Sequence, residues 1–429
     1  MNFNNAINKL DTHGQSVPNW VKEVRKSALE RFSEQGIPTR KSEAWKYTSL
    51  KPILSHDYQW SHARGMVDNK FVKNLYEKDD IVLVFIDGVL DSTFNMSQSL
   101  PEGVVLKSLK KSLQEDEEFL KSHIDFSGAK DDSFLSLNHG FLQEGAMLRV
   151  KKGVSVDQPI HLVFVNTAKP KPFATFPKNL VVIEESAKAT LLESYVGYEE
   201  GVYHCNTHTT VKMESNSCLY HGKIQQESLE SNHLSYTNFH LERDAKLETL
   251  DVSLGAKLAR QMIQIHLNGE GAEAIFDGLF LTTGNQHHAN HTLVNHAVPH
   301  CKSSQLYKGL LKDNGRAVFD GMIEVKRDAQ QTNAEQLNKN LVLDSTAEID
   351  TKPQLLIDAD DVKCAHGASV GQLDRGQLFY LMSRGLSLAE AKALLCEAFA
   401  QEVILKSNLN SFSTKVHKIV TDHLHGIGL

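Results

Sequence analysis

The chain has no pair of cysteines spaced Cys-x-x-Cys. Its five cysteines, Cys205, Cys218, Cys301, Cys364 and Cys396, are odd in number and far apart. That usage argues against a disulfide framework and for a reducing compartment, so a cytoplasmic location is expected. Long hydrophobic runs are also missing. The longest strongly apolar stretch, IVLVFI from Ile81 to Ile86, is far too short to span a bilayer, and no membrane insertion is expected. The opening MNFNNAINKLDTHG has neither a basic nor an apolar region, so no secretory signal is expected. No GxxxxGK[ST] occurs, and hydrolysis of ATP by a P-loop is not expected of this chain. An excess of basic residues is absent as well: the net charge is -7, which disfavours nucleic acid as the main partner.

What remains is a globular composition, 41% hydrophobic, 23% charged and only 7% aromatic. At 429 residues the chain exceeds one ordinary core, so two or three domains or one elongated one are expected. The first stretch reads as helical. Ser16 can cap a helix entered through Pro18, with Trp20, Val21, Val24, Ala28 and Phe32 at helical spacing, and Gly36-Ile-Pro38 ends it. In GIPTRKSEAWKYTSL, Trp45 and Tyr47 stand among alternating charges and read as an aromatic anchor for the N-terminal segment. A strand at Ile81 to Ile86, a turn at Asp87-Gly88 and a charged helical stretch from Val105 to His123 complete a mixed region over 1–145.

From about Met147 apolar and polar residues alternate at strand period for roughly 200 residues with almost no helix, which means a barrel, sandwich or solenoid. A loose repeat favours the solenoid. Its instances are Ala187-Lys-Ala189, Asn216-Ser-Cys218, Ala245-Lys-Leu247, Ala272-Glu-Ala274, Gly315-Arg-Ala317 and Ala347-Glu-Ile349. Their last positions lie 29, 29, 27, 43 and 32 apart, and the irregular interval reads as the place of an insertion. The expectation is therefore a mainly β protein with a β-helix core over 146–360. Helices return over 361–429, where Ser387 and Glu390 form a capping box. There Leu388, Ala391, Leu395, Ala398 and Phe399 make an apolar stripe, to be buried on the chain's own β domain or on a partner.

Two regions could carry chemistry. NQHHANHTLVNHAVPHC gathers His287, His288, His291, His296, His300 and Cys301, whose imidazoles and thiol are metal-ligand types. Their spacing matches no zinc finger or HExxH helix. At strand period His287 and His291 share one face and His288, His296 and His300 the other, so polar strand faces are the alternative. DDVKCAHGASVGQLD, from Asp360 to Asp374, places Cys364 and His366 on one face of an extended segment. The pair reads as two metal ligands, as a nucleophile with its base, or as two core residues. Two ligands are too few for a tightly held ion, and a second chain completing the site would resolve the shortfall. A β-helix also admits carbohydrate lyases and hydrolases, but no convergent set can be picked from Asp320, Glu324, Asp344 and Asp358.

Three stretches carry a resemblance: PHCKSSQLYKGLLKDNGRAVFDGMIEV, DTKPQLLIDADDVKCAHGASVGQLD and LFYLMSRGL, with RKSEAWKYTSL near the start. In order and over nearly the whole chain they resemble the SufD family of the SUF iron–sulfur cluster assembly machinery, more than its SufB paralogues. The resemblance implies a right-handed parallel β-helix between helical regions, and a non-enzymatic scaffold. It implies pairing with SufB through the β-helix, binding of the SufC ATPase by the C-terminal helical region over 361–429, and a possible homodimer when isolated. A transient iron–sulfur cluster shared with SufB is implied, with none tightly bound to the isolated chain; His366 would be its ligand here, with Cys364 a possible second. An independent metal- or carbohydrate-handling enzyme is the alternative.

Overall fold

The computed structural model describes residues 3, 7, 17–61, 63–94, 100–124, 126 and 132–428. Its centre is a parallel β-solenoid of two sheets. One sheet runs, from its C-terminal end, through Glu348–Ile357, Arg316–Val325, His287–His296, Leu258–Leu267, Asn232–Leu241, Tyr203–Met213, Lys178–Ile183 and Ala146–Val150 to Val104–Ser108. The other runs through Val362–Gly371, Thr332–Val342, Lys302–Leu311, Glu273–Thr282, Lys246–Ser253, Cys218–Gln226, Lys188–Gly197, Ile160–Asn166 and Ile81–Ile86 to Val89–Leu90. We call these sheets A and B. The chain alternates between them, so each coil adds one strand to either sheet. Sheet B begins at Ile81 and ends at Gly371, so the solenoid draws strands from both sides of the stretch 146–360.

A single corner motif repeats before the strands of sheet B. Ser186, Asn216, Asp244, Gly271, His300 and Gln331 all have φ between 56° and 74°, the left-handed region. Short polar residues tolerate it because their side chains bond locally. Five of these amides donate to a carbonyl of the next coil, as from Asn216 to Arg243 at 2.8 Å and from His300 to Gln330 at 3.0 Å. The residue that follows points into the tight corner and is small: Ala187, Ser217, Ala245, Ala272, Cys301 and Thr332, all buried. This corner is the repeat seen in the sequence. The 43-residue interval holds no insertion: Glu273 pairs with Lys302, so the period there is undisturbed. Gly315-Arg-Ala317 and Ala347-Glu-Ile349 lead into sheet A instead, and the interval is one coil plus the half-coil between sheets.

Side chains facing the lumen build the main core, from Ile81 and Leu148 through Phe239, Phe276 and Phe319 to Ala334. Helices cover the outer faces. Asn19–Gln35, begun at Pro18 and stopped at Gly36 (φ 65°), packs with Ser133–Gly140 on the side of sheet A; Ser16 lies outside the described residues. Trp45 is the N-terminal anchor: it is buried with Phe134, and the buried Arg260 guanidinium lies 4.2 Å from its ring. Tyr47 stays exposed. Only part of the stretch from Val105 to His123 is helical, as Leu109–Glu115 and Glu117–His123, because Val104–Ser108 pairs antiparallel with Ala146–Val150.

Leu388–Ile404 and Asn410–Gly426 cover sheet B, over Leu192, Ile224, Leu250, Leu279 and Leu306. The chain's own β domain thus buries the stripe, through Ala391, Cys396, Ala400, Val403 and Ile404. Leu388 and Ala398 are exposed, so the buried face is rotated from the one expected. The capping box of Ser387 and Glu390 is present.

Candidate functional site

The two ends of the solenoid differ. At the N-terminal end both sheets finish in short antiparallel partners, Val104–Ser108 and Val89–Leu90, which blunt the edge. At the C-terminal end both finish in full ten-residue strands, Glu348–Ile357 and Val362–Gly371, no residue of which is buried. The lumen core therefore comes to the surface there, as the half-buried Ile349, Leu355, Val362 and Cys364. Leu356, Ile357 and Val370 are exposed beside them.

Cys364 and His366 lie on this last strand of sheet B. Cys364 pairs with Ala334 and His366 with Gln336. Followed back through the coils, the Cys364 column reads Ala334, Ser303, Ala274, Leu247, Leu219 and Ala189, a stack of small and apolar side chains. Cys364 continues it, and burial pushes its thiol above the ordinary range, partly offset by a backbone hydrogen bond with Ala334. The His366 column reads Gln336, Gln305 and Phe276. Gln336 donates from Nε2 to Oε1 of Gln305 at 2.8 Å inside the lumen, and His366 stands at its mouth, exposed. Both side chains share the lumen face, as strand period requires. Asp360 and Asp361 do not join them: Asp361 forms the corner, its carbonyl accepting from Gln331 at 2.6 Å.

The histidine-rich strand His287–His296 does not assemble a site. His287 Nε2 meets Thr48 Oγ1 at 3.1 Å on the outer face, under the N-terminal segment, and His291 lies 3.8 Å from Asp320. On the lumen side His288 donates from Nε2 to Gly255 O at 2.9 Å, and His296 Nε2 bonds Ser303 Oγ at 2.9 Å. Strand parity holds for these four, but His300 is a corner residue and belongs to neither face. Cys301 is the small residue of the same corner. Of the carboxylates weighed for carbohydrate chemistry, Asp344 accepts from the Asp313 amide at 2.8 Å, Glu324 bonds Lys326, and Asp320 accepts from Gln354 at 2.9 Å. Each serves a local contact.

Two stretches far apart in sequence meet near the uncapped end. Lys352, in the strand Glu348–Ile357, forms an ion pair of 2.8 Å with Glu43, in the turn Glu43–Trp45. After the last strand comes Arg375–Ser383, capped by Asp374, whose carboxylate accepts from the Gln377 amide at 2.7 Å. No residue of this helix is buried, and Phe379 is 75% exposed and Tyr380 57% exposed. The Arg384 guanidinium lies 5.2 Å from the Tyr380 ring centroid. Among the described residues the solenoid thus has one blunted end and one open end, with an exposed helix beside the open one.

Two family models together match most of the chain: "SufBD protein N-terminal region" over residues 3–162, and "SUF system FeS cluster assembly, SufBD core domain" over 164–399. The chain belongs to this SufBD family of SUF-system iron–sulfur cluster assembly proteins. It is 30% identical to an iron–sulfur cluster assembly SufBD family protein of Synechocystis over 92% of this chain and 90% of that protein. It is 30% identical to the iron–sulfur cluster assembly protein SufD of Escherichia coli, over 87% of this chain and 86% of that one. SufB of Bacillus subtilis is 24% identical over 95% of this chain and 90% of its own. The motif resemblance to SufD agrees with this order. No helix among the described residues is long and apolar enough to cross a membrane.

Proposed function

We propose that this chain is a non-catalytic scaffold subunit that offers half of a site for a nascent iron–sulfur cluster at the open end of its solenoid. The observation that carries the reading is the placement of His366: an exposed imidazole on an edge strand paired on one side only, at the mouth of the lumen, beside exposed apolar residues. A second β-helix stacked on these edges would extend both sheets and bring its own thiolate next to His366. A relative named SufB is 24% identical over 95% of this chain, and SufB is the partner this geometry suits.

Ligand chemistry supports the same division. Thiolates hold iron firmly, while an imidazole ligand is compatible with iron–sulfur chemistry and raises the potential of such centres. A site split between chains can be opened by moving one of them. His366 is exposed at the mouth of the lumen, whereas the half-buried Cys364 continues a packed column, so His366 is the primary ligand and Cys364 the secondary one. The exposed helix Arg375–Ser383 and the two C-terminal helices would receive the SufC ATPase, whose cycle would shift the contact between the solenoids. The expected location is the cytoplasm. Co-expression with SufB and SufC, followed by pull-down, tests the assembly: Phe379→Ser with Tyr380→Ser should lower SufC recovery at least roughly tenfold, since exposed aromatic anchors dominate interfaces. Unchanged recovery would contradict that part of the reading.

A further inference from the structure

The lumen contains a second cluster of ligand types, remote from the open end. Cys205 and His233 are register partners on adjacent strands of sheet A. Glu227 follows the strand Cys218–Gln226 of sheet B, at the corner where the chain crosses toward Asn232–Leu241. One ligand atom from each residue lies within 4.8 Å of the other two, and all three residues are buried. Glu227 is held from several sides. Asn166 Nδ2 donates to its Oε1 at 3.1 Å, Gln225 Nε2 donates to its Oε2 at 3.2 Å, and His233 Nδ1 lies 2.6 Å from Oε2. Neither ring nitrogen of His233 has a hydrogen-bond partner although the residue is fully buried, and Nδ1 is the one turned to Glu227. The next position in this column is Ala259, a small side chain.

We propose that Cys205, Glu227 and His233 form a metal site enclosed in the solenoid, taking a divalent cation of borderline softness such as Zn2+ or Fe2+. The donor set of sulfur, oxygen and imidazole nitrogen is the one such ions prefer. Charge supports it as well. A thiolate and a carboxylate carry two negative charges, which cancel those of the ion, so the ion and its ligands together add no net charge to the buried lumen. Asn166 and Gln225 orient the carboxylate from outside, as ligand-supporting groups do in metal sites. Binding replaces the Cys205 sulfur–hydrogen bond with a sulfur–metal bond and releases the proton to solvent, so affinity falls as the pH is lowered. An ion here would tie two coils of sheet A to the sheet B corner. This inference does not depend on the cluster reading.

The full chain carrying Cys364→Ser and His366→Ala, which removes the ligands of the open end, would be produced in medium supplemented with Co2+, so that it folds around the ion. The expected result is about one cobalt per chain after gel filtration, with thiolate-to-cobalt charge-transfer absorption. Cys205→Ser in that background should abolish the absorption, and Glu227→Gln should lower retained cobalt roughly tenfold or more. Circular dichroism establishes that each variant is folded, and if Cys205→Ser is not, Glu227→Gln decides the matter alone. Absence of bound cobalt, absorption that survives Cys205→Ser, or full retention by Glu227→Gln overturns the proposal.

Discussion

The side chains of the lumen divide sharply by what surrounds them. Cys364 has a packing reason to be where it is, since it extends a column of small and apolar residues that reaches back to Ala189. His366 has none, because an imidazole at an exposed mouth fills no core. Other histidines are placed in the opposite way. Burial pushes His204 down to about 3, His288 to about 3 and His296 to about 4. Each is neutral in the folded chain but would take up a proton below about pH 6.5 when unfolded. Their stability contribution is thus complete above about 6.5 and is lost as the pH falls toward their folded values, by about 1.4 kcal/mol per histidine per pH unit. Urea unfolding at several pH values between 6.5 and 4.5 should show His288→Gln with a slope shallower by about that amount, and equal slopes would contradict the assignment.

At the scale of the element, the corner is the unit from which the solenoid is made. A left-handed residue, polar or glycine, followed by a small buried residue at or just before the start of a strand recurs through the central coils, and the small residue sets how closely coils approach. Ala245→Leu, at a fully buried corner, should destabilise the chain by about 1–3 kcal/mol in urea unfolding, the usual cost of overpacking. An effect under about 0.5 kcal/mol would mean that the corner is looser than described. These corners were legible in the sequence because small residues recur at nearly fixed intervals, and so was the β-helix. Which sheet each instance leads into was not legible, since both sheets repeat with one period; that is why a half-coil offset resembled an insertion. The C-terminal stripe was misplaced for a related reason. Leu388–Ile404 is apolar on more than one face, and only packing on Leu250 and Leu279 selects Cys396 and Ala400 as the buried side. Cys364 and His366 were visible as a pair, being two residues apart on one strand. Cys205, Glu227 and His233 were not, because coil register rather than sequence spacing brings them together.

For the whole molecule, the arrangement is layered: N-terminal helices, sheet A, lumen, sheet B, C-terminal helices. The N-terminal layer is anchored by Trp45 over Arg260 and by Glu43 on Lys352. Trp45→Ala removes a buried ring and should cost about 3–5 kcal/mol, with limited proteolysis then cutting the N-terminal region first. An unaltered digestion pattern would show that the anchor lies elsewhere. Of the molecule's surfaces, the open solenoid end is the one where core side chains, unpaired backbone and His366 coincide, and the proposed function rests on it. The most direct measurement is the iron and acid-labile sulfide content of the complex, purified without oxygen after co-expression with SufB and SufC. One sample would carry wild-type chain, a second His366→Ala and a third Cys364→Ser. The account predicts that all three assemble with both partners, that His366→Ala loses nearly all iron and sulfide, and that Cys364→Ser keeps most of both. Wild-type iron and sulfide in an assembled His366→Ala complex would contradict it.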